Sequence, residues 1–139
     1  ENDIVLKENA KECIIGLDGS RILIGLGTSN SYDLAIAALK QHKILHYFKT
    51  IITGCMELKG KPFPDIYLKA AADLAVNPTE CIVIEDTLSG IMAAKNAGMY
   101  AIAIYDEDAD EHRNEINHTA DFSANNYKEI ISHLQDLIC

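Results

Sequence analysis

The sequence lacks the features that mark secreted, membrane-spanning and nucleic-acid-binding chains. Its four cysteines, Cys13, Cys55, Cys81 and Cys139, show neither the paired spacing of a zinc site nor the density of a disulfide scaffold. No apolar run approaches the roughly 20 residues that span a bilayer, and no basic-then-apolar leader precedes the first charged residues. The 12 Lys and Arg residues are scattered and outnumbered by 21 Asp and Glu residues. This acidic balance repels nucleic acid and anionic membranes. We therefore expect a cytoplasmic protein in a reducing compartment, with neither nucleic acid nor a membrane as partner.

The length and composition predict one globular domain over residues 1–139. A chain of 139 residues that is 48% hydrophobic can form one compact core but is short for two. The sequence begins with Glu1 rather than Met, which leads us to expect that a preceding segment is missing or was removed.

Hydrophobic periodicity predicts helices and strands that alternate along the whole chain. Helical spacing of apolar residues from Leu6 to Leu17 predicts a helix that ends near Asp18, and the apolar run 22–27 predicts a strand buried on both faces. Further helices are predicted over 31–41, from 64, over 88–96 and from 126, and further strands over 50–53, 81–84, 100–104 and 121–122, with an acidic loop over 106–111. The predicted buried side of the helix over 31–41 carries Leu34, Ala35, Ala38 and Leu39. That of the helix from 64 carries Ile66, Leu68, Ala71 and Leu74.

This alternation predicts an α/β fold of the Rossmann-like type. Short connections between helices and strands imply right-handed crossovers and a mostly parallel sheet with helices on both faces, which makes three layers. In such sheets, ligands bind beyond the carboxyl ends of the strands. Residues that follow the predicted strands are therefore the candidates for a functional site.

The first candidate is Thr28-Ser29-Asn30, which follows the first predicted strand and leads into a helix. Two hydroxyls, an amide and the first backbone N–H groups of a helix can bind an anion. The alternative is a plain helix N-cap, a position that Ser and Thr favour.

The second candidate is Lys61 in the segment Gly60-Lys61-Pro62-Phe63-Pro64-Asp65. Two prolines restrict the backbone beside this lysine, so its charge is held in place as phosphate binding requires. The alternative is a solvent-exposed lysine in a turn.

The third candidate is the pair Glu85-Asp86, which follows the apolar residues 82–84. Carboxylates at a strand end suit Mg²⁺, which keeps several waters and takes its other ligands from one or two carboxylates and a phosphate. The alternative is that Asp86 only caps the next helix.

Together, an anion site, a fixed cation and a metal site can hold a phosphoryl group. The ordered motifs Thr-Ser-Asn, Gly-Lys-Pro-x-Pro-Asp and Glu-Asp-x-x-x-Gly resemble the haloacid dehalogenase superfamily, and within it the β-phosphoglucomutase-like branch, over about residues 20–130. The resemblance implies that Thr28 hydrogen-bonds the transferring phosphoryl group, with Ser29 and Asn30 beside it. It implies that Lys61 neutralises the nucleophile and phosphate, and that Asp86, with Glu85, coordinates Mg²⁺. The family reaction proceeds through an aspartyl-phosphate.

The nucleophile motif of that family, Asp-x-Asp-Gly, does not occur in the sequence. The nearest match, residues 14–20, has Gly16 at the nucleophile position. Only three residues separate Asp18 from the strand at Ile22, whereas a parallel crossover needs about a dozen or more. We therefore expect that residues 6–18 form a helix. The resemblance places the nucleophile strand centrally in the sheet, so we expect the attacking aspartate and the substrate-choosing helical cap in another segment of a longer protein, without which this chain is inactive.

The sequence thus predicts a magnesium-dependent phosphatase or phosphomutase for a small phosphorylated metabolite such as a sugar phosphate. One alternative is a non-catalytic phosphate-binding or regulatory domain that has lost the nucleophile. A response-regulator-like domain also has the right sheet and a lysine, but it requires an acidic cluster after its first strand, which is lacking here. The resemblance implies that the cap chooses the substrate and decides between phosphatase and mutase activity.

Overall fold

The computed structural model describes residues 7–28, 31–53 and 57–138, in which helices and strands alternate. The helices are α1 Ala10–Gly19, α2 Tyr32–Gln41, α3 Asp65–Asp73, α4 Leu88–Asn96, α5 Arg113–Thr119 and α6 Tyr127–Ile138. The strands are β1 Ile24–Thr28, β2 Phe48–Thr53, β3 Ile82–Glu85, β4 Tyr100–Ile104 and β5 Phe122–Ala124. Short 3₁₀ helices are formed by Leu45–Tyr47, Pro78–Glu80 and Glu107–His112. Of the helices in these ranges, none is long and apolar enough to cross a membrane.

The strand β4 shows how the layers are arranged. Successive side chains of a strand point to opposite faces of a sheet. Ala101 and Ala103 of β4 belong to a hydrophobic core with residues of α3 and α4, whereas Ile102 and Ile104 belong to a second core with residues of α1 and α6. Helices therefore cover both faces of the sheet, and the predicted three-layer α/β architecture is confirmed.

All strand pairings in the described residues are parallel, but they form two sheets. β1 pairs with β2, and β4 lies between β3 and β5. Within the described ranges no pairing joins β1 to β3. The sequence predicts one sheet with a central nucleophile strand contributed by another segment, whereas the described strands form two sheets that are divided between β1 and β3.

The helix α1 bears on the search for a nucleophile. Residues 10–19 are helical, with Ala10 and Cys13 buried. Asp18 lies inside this helix, so the prediction of a helix is confirmed. The segment 14–20 therefore does not form a strand that could present an aspartate.

The prediction of an acidic loop over 106–111 is wrong. Asp106 accepts a hydrogen bond from the backbone N of Asp108 at 2.9 Å, and a 3₁₀ helix follows that continues into α5. Ile116 is the buried residue of α5. With one buried apolar side chain, α5 has no run of apolar residues at helical spacing. The periodicity that predicts the other helices is therefore missing from its sequence.

Two leucines that were predicted to be buried are exposed. Leu34 is 56% and Leu68 is 40% exposed. In α3 the buried side chains include Tyr67, which lies next to Leu68, because the tyrosine hydroxyl finds a partner inside the protein, described below.

The strand limits also differ by one or two residues, so that Thr28 and Glu85 are the last residues of β1 and β3 rather than the first residues after them.

Candidate active site

Lys61 lies between the ends of β1 and β3. Its Nζ donates to the backbone carbonyl of Gly27 at 3.4 Å and forms an ion pair with Glu85 Oε2. The Lys61 side chain is only 12% exposed. The alternative of a solvent lysine in a turn is therefore wrong, because this ammonium is held at the carboxyl edge of both sheets.

Glu85 receives three hydrogen bonds. Its Oε2 accepts from Lys61 Nζ and from the Tyr67 hydroxyl, and its Oε1 accepts from the backbone N of Asp86 at 3.2 Å. The side chain is 10% exposed. Burial and the charge of Glu85 raise the pKa of Tyr67, so the phenol keeps its proton and serves as a donor.

Gly90 gives the Glu85 carboxylate its space. A Cβ at position 90 would lie 2.1 Å from Glu85 Cδ and 2.3 and 2.5 Å from its two oxygens. The first turn of α4 can therefore pack against this carboxylate only with glycine at position 90. The glycine in the predicted motif thus has a steric reason in the structure.

Asp86 is not the N-cap of α4, so the alternative for this residue is wrong. The cap is Thr87, whose Oγ1 accepts from Gly90 N at 3.1 Å. Burial and then the charges of Glu85 and Asp106 raise the pKa of Asp86. A group of carboxylates that disfavour each other's charge is stabilised when a cation binds nearby.

A cavity of about 230 Å³ opens beside Asp86. Its lining includes Arg113, whose guanidinium lies 4.1 Å from the ring centroid of Tyr105 and donates to Asn125 Oδ1 at 3.3 Å. Sequence patterns do not reveal this part of the lining, because the residues are distributed over β4, α5 and β5 and carry no motif. The lining residues are Asp86, Ala103, Ile104, Tyr105, Asp106, Ala109, Arg113, Ile116, Asn117, Ser123, Ala124 and Asn125.

Thr28 ends β1 directly after Gly27, the residue whose carbonyl Lys61 contacts. Its side chain is partly buried. The N-cap of α2 is Ser31, whose Oγ accepts from Leu34 N at 3.3 Å, so Thr28 does not cap that helix. The other two predicted anion-binding residues, Ser29 and Asn30, lie outside the described residues.

The structure therefore brings four of the predicted site residues to one edge. Thr28 follows the residue that Lys61 contacts, Lys61 contacts Glu85, and Asp86 follows Glu85. Both β1 and β3 end here, as expected of parallel strands. The structure thus places a cation and a carboxylate in contact at this edge, with Thr28 and Asp86 each following a residue that contacts Lys61.

The donor set suits Mg²⁺ only when a phosphate is present as well. No group of three or more His, Cys, Asp or Glu side chains in the described ranges is arranged to hold a metal. Mg²⁺ needs no such group, because one or two carboxylates, waters and phosphate oxygens complete its shell. Glu85 and Asp86 fit this requirement chemically.

Comparison with known proteins identifies the family. A family model described as haloacid dehalogenase-like hydrolase matches residues 1–104. The chain belongs to this family. It is 42% identical over 88 residues to a beta-phosphoglucomutase from Bacillus subtilis (strain 168), and 36% identical over 100 residues to a phosphorylated carbohydrates phosphatase from Thermotoga maritima. These matches cover 63% and 70% of this chain. The predicted resemblance is confirmed.

Solved structures of this family share the fold. A hydrolase of the same superfamily from Ehrlichia chaffeensis superposes with a TM-score of 0.83 at 22% identity, covering all of this chain and 62% of that one. The two curated relatives are matched over 38% and 46% of their own length. The chain thus spans less than half the length of these haloacid dehalogenase-like relatives.

Proposed function

We propose that the full-length protein is a magnesium-dependent phosphatase or phosphomutase that acts on a small phosphorylated metabolite, with sugar phosphates as the preferred class. The observation that carries this proposal is the position of Lys61, buried between the end of β1 and the Glu85 carboxylate that ends β3. Two relatives, a beta-phosphoglucomutase and a phosphorylated carbohydrates phosphatase, support the substrate class.

In this proposal, the site residues bind and orient the phosphoryl group. Lys61 neutralises phosphate oxygens, and Thr28, with Ser29 and Asn30, donates hydrogen bonds to them. Glu85 and Asp86 would hold Mg²⁺, which supplies charge stabilisation to the transferring group. Glu85 pairs with Lys61 in the structure. Phosphate and cation binding therefore require that Lys61 gives part of this contact to the phosphate and Glu85 gives part of it to the cation.

The attacking aspartate comes, in this proposal, from a segment outside the sequence. One carboxylate oxygen bonds to phosphorus as the bond from phosphorus to the leaving oxygen breaks, which gives an aspartyl-phosphate. Water then releases inorganic phosphate, or a sugar hydroxyl takes the phosphoryl group. We expect the 139 residues alone to bind ligand without turnover.

The absence of an Asp-x-Asp-Gly motif from the sequence also supports a second candidate, a non-catalytic phosphate-binding domain. The two candidates differ in one measurement on the full-length protein. Binding of inorganic phosphate without hydrolysis of any phosphate ester would favour the binding domain.

The test of the enzyme proposal uses matched substitutions in the full-length protein. Lys61→Met and Asp86→Asn should each lower kcat for magnesium-dependent release of phosphate by about 10²-fold or more, because each removes a charge that stabilises the transition state. Lys69→Met removes an exposed lysine that pairs with Asp73 at 2.9 Å on α3, and it should leave the rate unchanged. Wild-type rates in both site variants would refute the proposal.

A reducing, cytoplasmic location belongs to the same proposal. The spacing of the cysteines supports it, and so do the free thiols of Cys13 and Cys81 in the described part of the chain. The acidic composition disfavours nucleic acid as the partner, and in this proposal a small anionic metabolite is bound through the local cation Lys61.

A further inference from the structure

We propose that Tyr67 is a positioning residue of the cation site, which it serves by holding the Glu85 carboxylate through its hydroxyl. The inference rests on the proposed function, since it assigns a support to one of the two carboxylates that would hold Mg²⁺. No motif of the sequence analysis included Tyr67, which was not even placed on the buried side of its helix.

The packing of the Tyr67 ring fixes the direction in which its hydroxyl points. Its side chain is 8% exposed in α3, which packs against β1 and β2. The ring also lies close to β1, because a Cβ at Gly27 would be 3.1 Å from Tyr67 Cε1. From there the hydroxyl reaches Glu85 at the end of β3, in the other sheet. The ring is fixed by packing, so the hydroxyl is a fixed donor rather than a mobile one.

The acceptor sites of the Glu85 carboxylate show why such a donor matters. A carboxylate offers about four lone-pair sites, two on each oxygen. Tyr67 and Lys61 use Oε2, and the backbone N of Asp86 uses Oε1. Lys61 must turn partly towards a bound phosphate. Tyr67 and the Asp86 amide can then anchor one site on each oxygen, which keeps the carboxylate oriented while a cation takes a remaining site.

The packing of α4 against Glu85 supports the same role for Tyr67. Gly90 allows the α4 backbone to touch the carboxylate, so Glu85 has little room to rotate while Tyr67 holds it. Without the hydroxyl, Oε2 of the carboxylate would be held by Lys61 alone, the group that the phosphate also attracts, and only the Asp86 amide would still hold Oε1. Residues that orient a metal ligand in this way typically change metal affinity by about 10–100-fold when they are replaced.

The test is Tyr67→Phe in the full-length protein, which keeps the ring and removes the hydroxyl. Binding of Mg²⁺ in the presence of saturating inorganic phosphate is measured by calorimetry, and activity is measured as a function of Mg²⁺ concentration. We expect the Mg²⁺ Kd of the variant to rise about tenfold or more. We also expect kcat to recover at saturating Mg²⁺, because the cation itself can orient the carboxylate once it is bound.

The control is Tyr100→Phe, which removes a hydroxyl that bonds His133 Nε2 at 2.8 Å near the amino end of β4. This variant should bind Mg²⁺ as the wild type does. Tyr67→Phe with wild-type Mg²⁺ affinity would overturn the inference, even if its thermal stability fell, because a purely structural role moves stability and not cation affinity. If the wild-type protein bound no Mg²⁺ with or without inorganic phosphate, the proposed function itself would fail, so the two failures are distinguishable.

Discussion

Replacement of Gly90 by alanine tests the description of the site through the sign of a stability change. Glycine inside a helix costs about 0.5–1 kcal/mol relative to alanine, so helix propensity alone predicts that Gly90→Ala stabilises the protein. The structure predicts the opposite. The new Cβ would lie 2.1 Å from Glu85 Cδ, a distance that no packed structure tolerates.

The size of the stability change follows from the hydrogen bonds that Glu85 would lose. Its side chain can rotate away from the new methyl group, but it then loses its contacts with Lys61 and Tyr67. A hydrogen bond to a charged group contributes about 1.5–3 kcal/mol. If one of these two contacts is lost, a net loss of about 0.5–2.5 kcal/mol remains after the gain in helix propensity is subtracted. For a chain of this size that lowers Tm by about 2–8 °C.

Urea and thermal unfolding of matched variants measure this change. Gly16→Ala is the control, since nothing lies within 4 Å of a Cβ at Gly16 in α1, and it should stabilise the protein by about 0.5–1 kcal/mol. In a Glu85→Ala background the clash is absent, so Gly90→Ala should become stabilising as well. A Gly90→Ala protein as stable as the Gly16→Ala protein would refute the described packing of Glu85.

Three further predictions concern other parts of the chain. Gly27→Ala would place a Cβ 2.6 Å from Ile66 Cγ2, so it should lower the free energy of unfolding by about 1–3 kcal/mol in urea titrations, and an unchanged midpoint would contradict the close packing of β1 on α3. Burial raises the pKa of the Cys13 thiol to about 11, so iodoacetamide at pH 8 should modify Cys13 only after unfolding, as peptide mass spectrometry can show. Hydrogen bonds from Lys69 and Thr50 lower the pKa of Asp73, so its contribution to stability is present above its ordinary pKa of 3.8 and is lost as pH falls below it. Asp73→Asn should therefore make the loss of stability between pH 5 and pH 2 less steep, and identical acid profiles would refute this role.

The sequence predicted those parts of the fold whose signals are local. Each of the apolar runs of β1, β3 and β4, and each of the breaks at Gly98 and Pro78, is formed by a few neighbouring residues. The order of strands and helices could therefore be predicted directly. The edge shared by Thr28, Lys61 and Glu85 was also predictable, because parallel strands bring their carboxyl ends together. The helix α5 was not, since Ile116 alone gives no period.

Interactions between distant residues were out of reach of sequence patterns. Asp86 and Thr87 are both good N-cap residues, and only the backbone geometry shows that Thr87 takes the position. The burial of Tyr67 in place of Leu68 depends on a carboxylate 18 residues away. Propensity prefers leucine at a buried helical position, and a tertiary hydrogen bond overrides that preference.

The contact of Lys61 with both sheets links ligand occupancy to cooperative unfolding. Lys61 touches a carbonyl of β1 and a carboxylate of β3, and these strands share no backbone ladder in the described ranges. A phosphate bound to Lys61, together with an Mg²⁺ ion between that phosphate and Asp86, would act as a reversible cross-link, since both bind the folded state alone. Amide hydrogen exchange in the β1–β2 pair and in the β3–β4–β5 trio should then slow together when phosphate and Mg²⁺ are added.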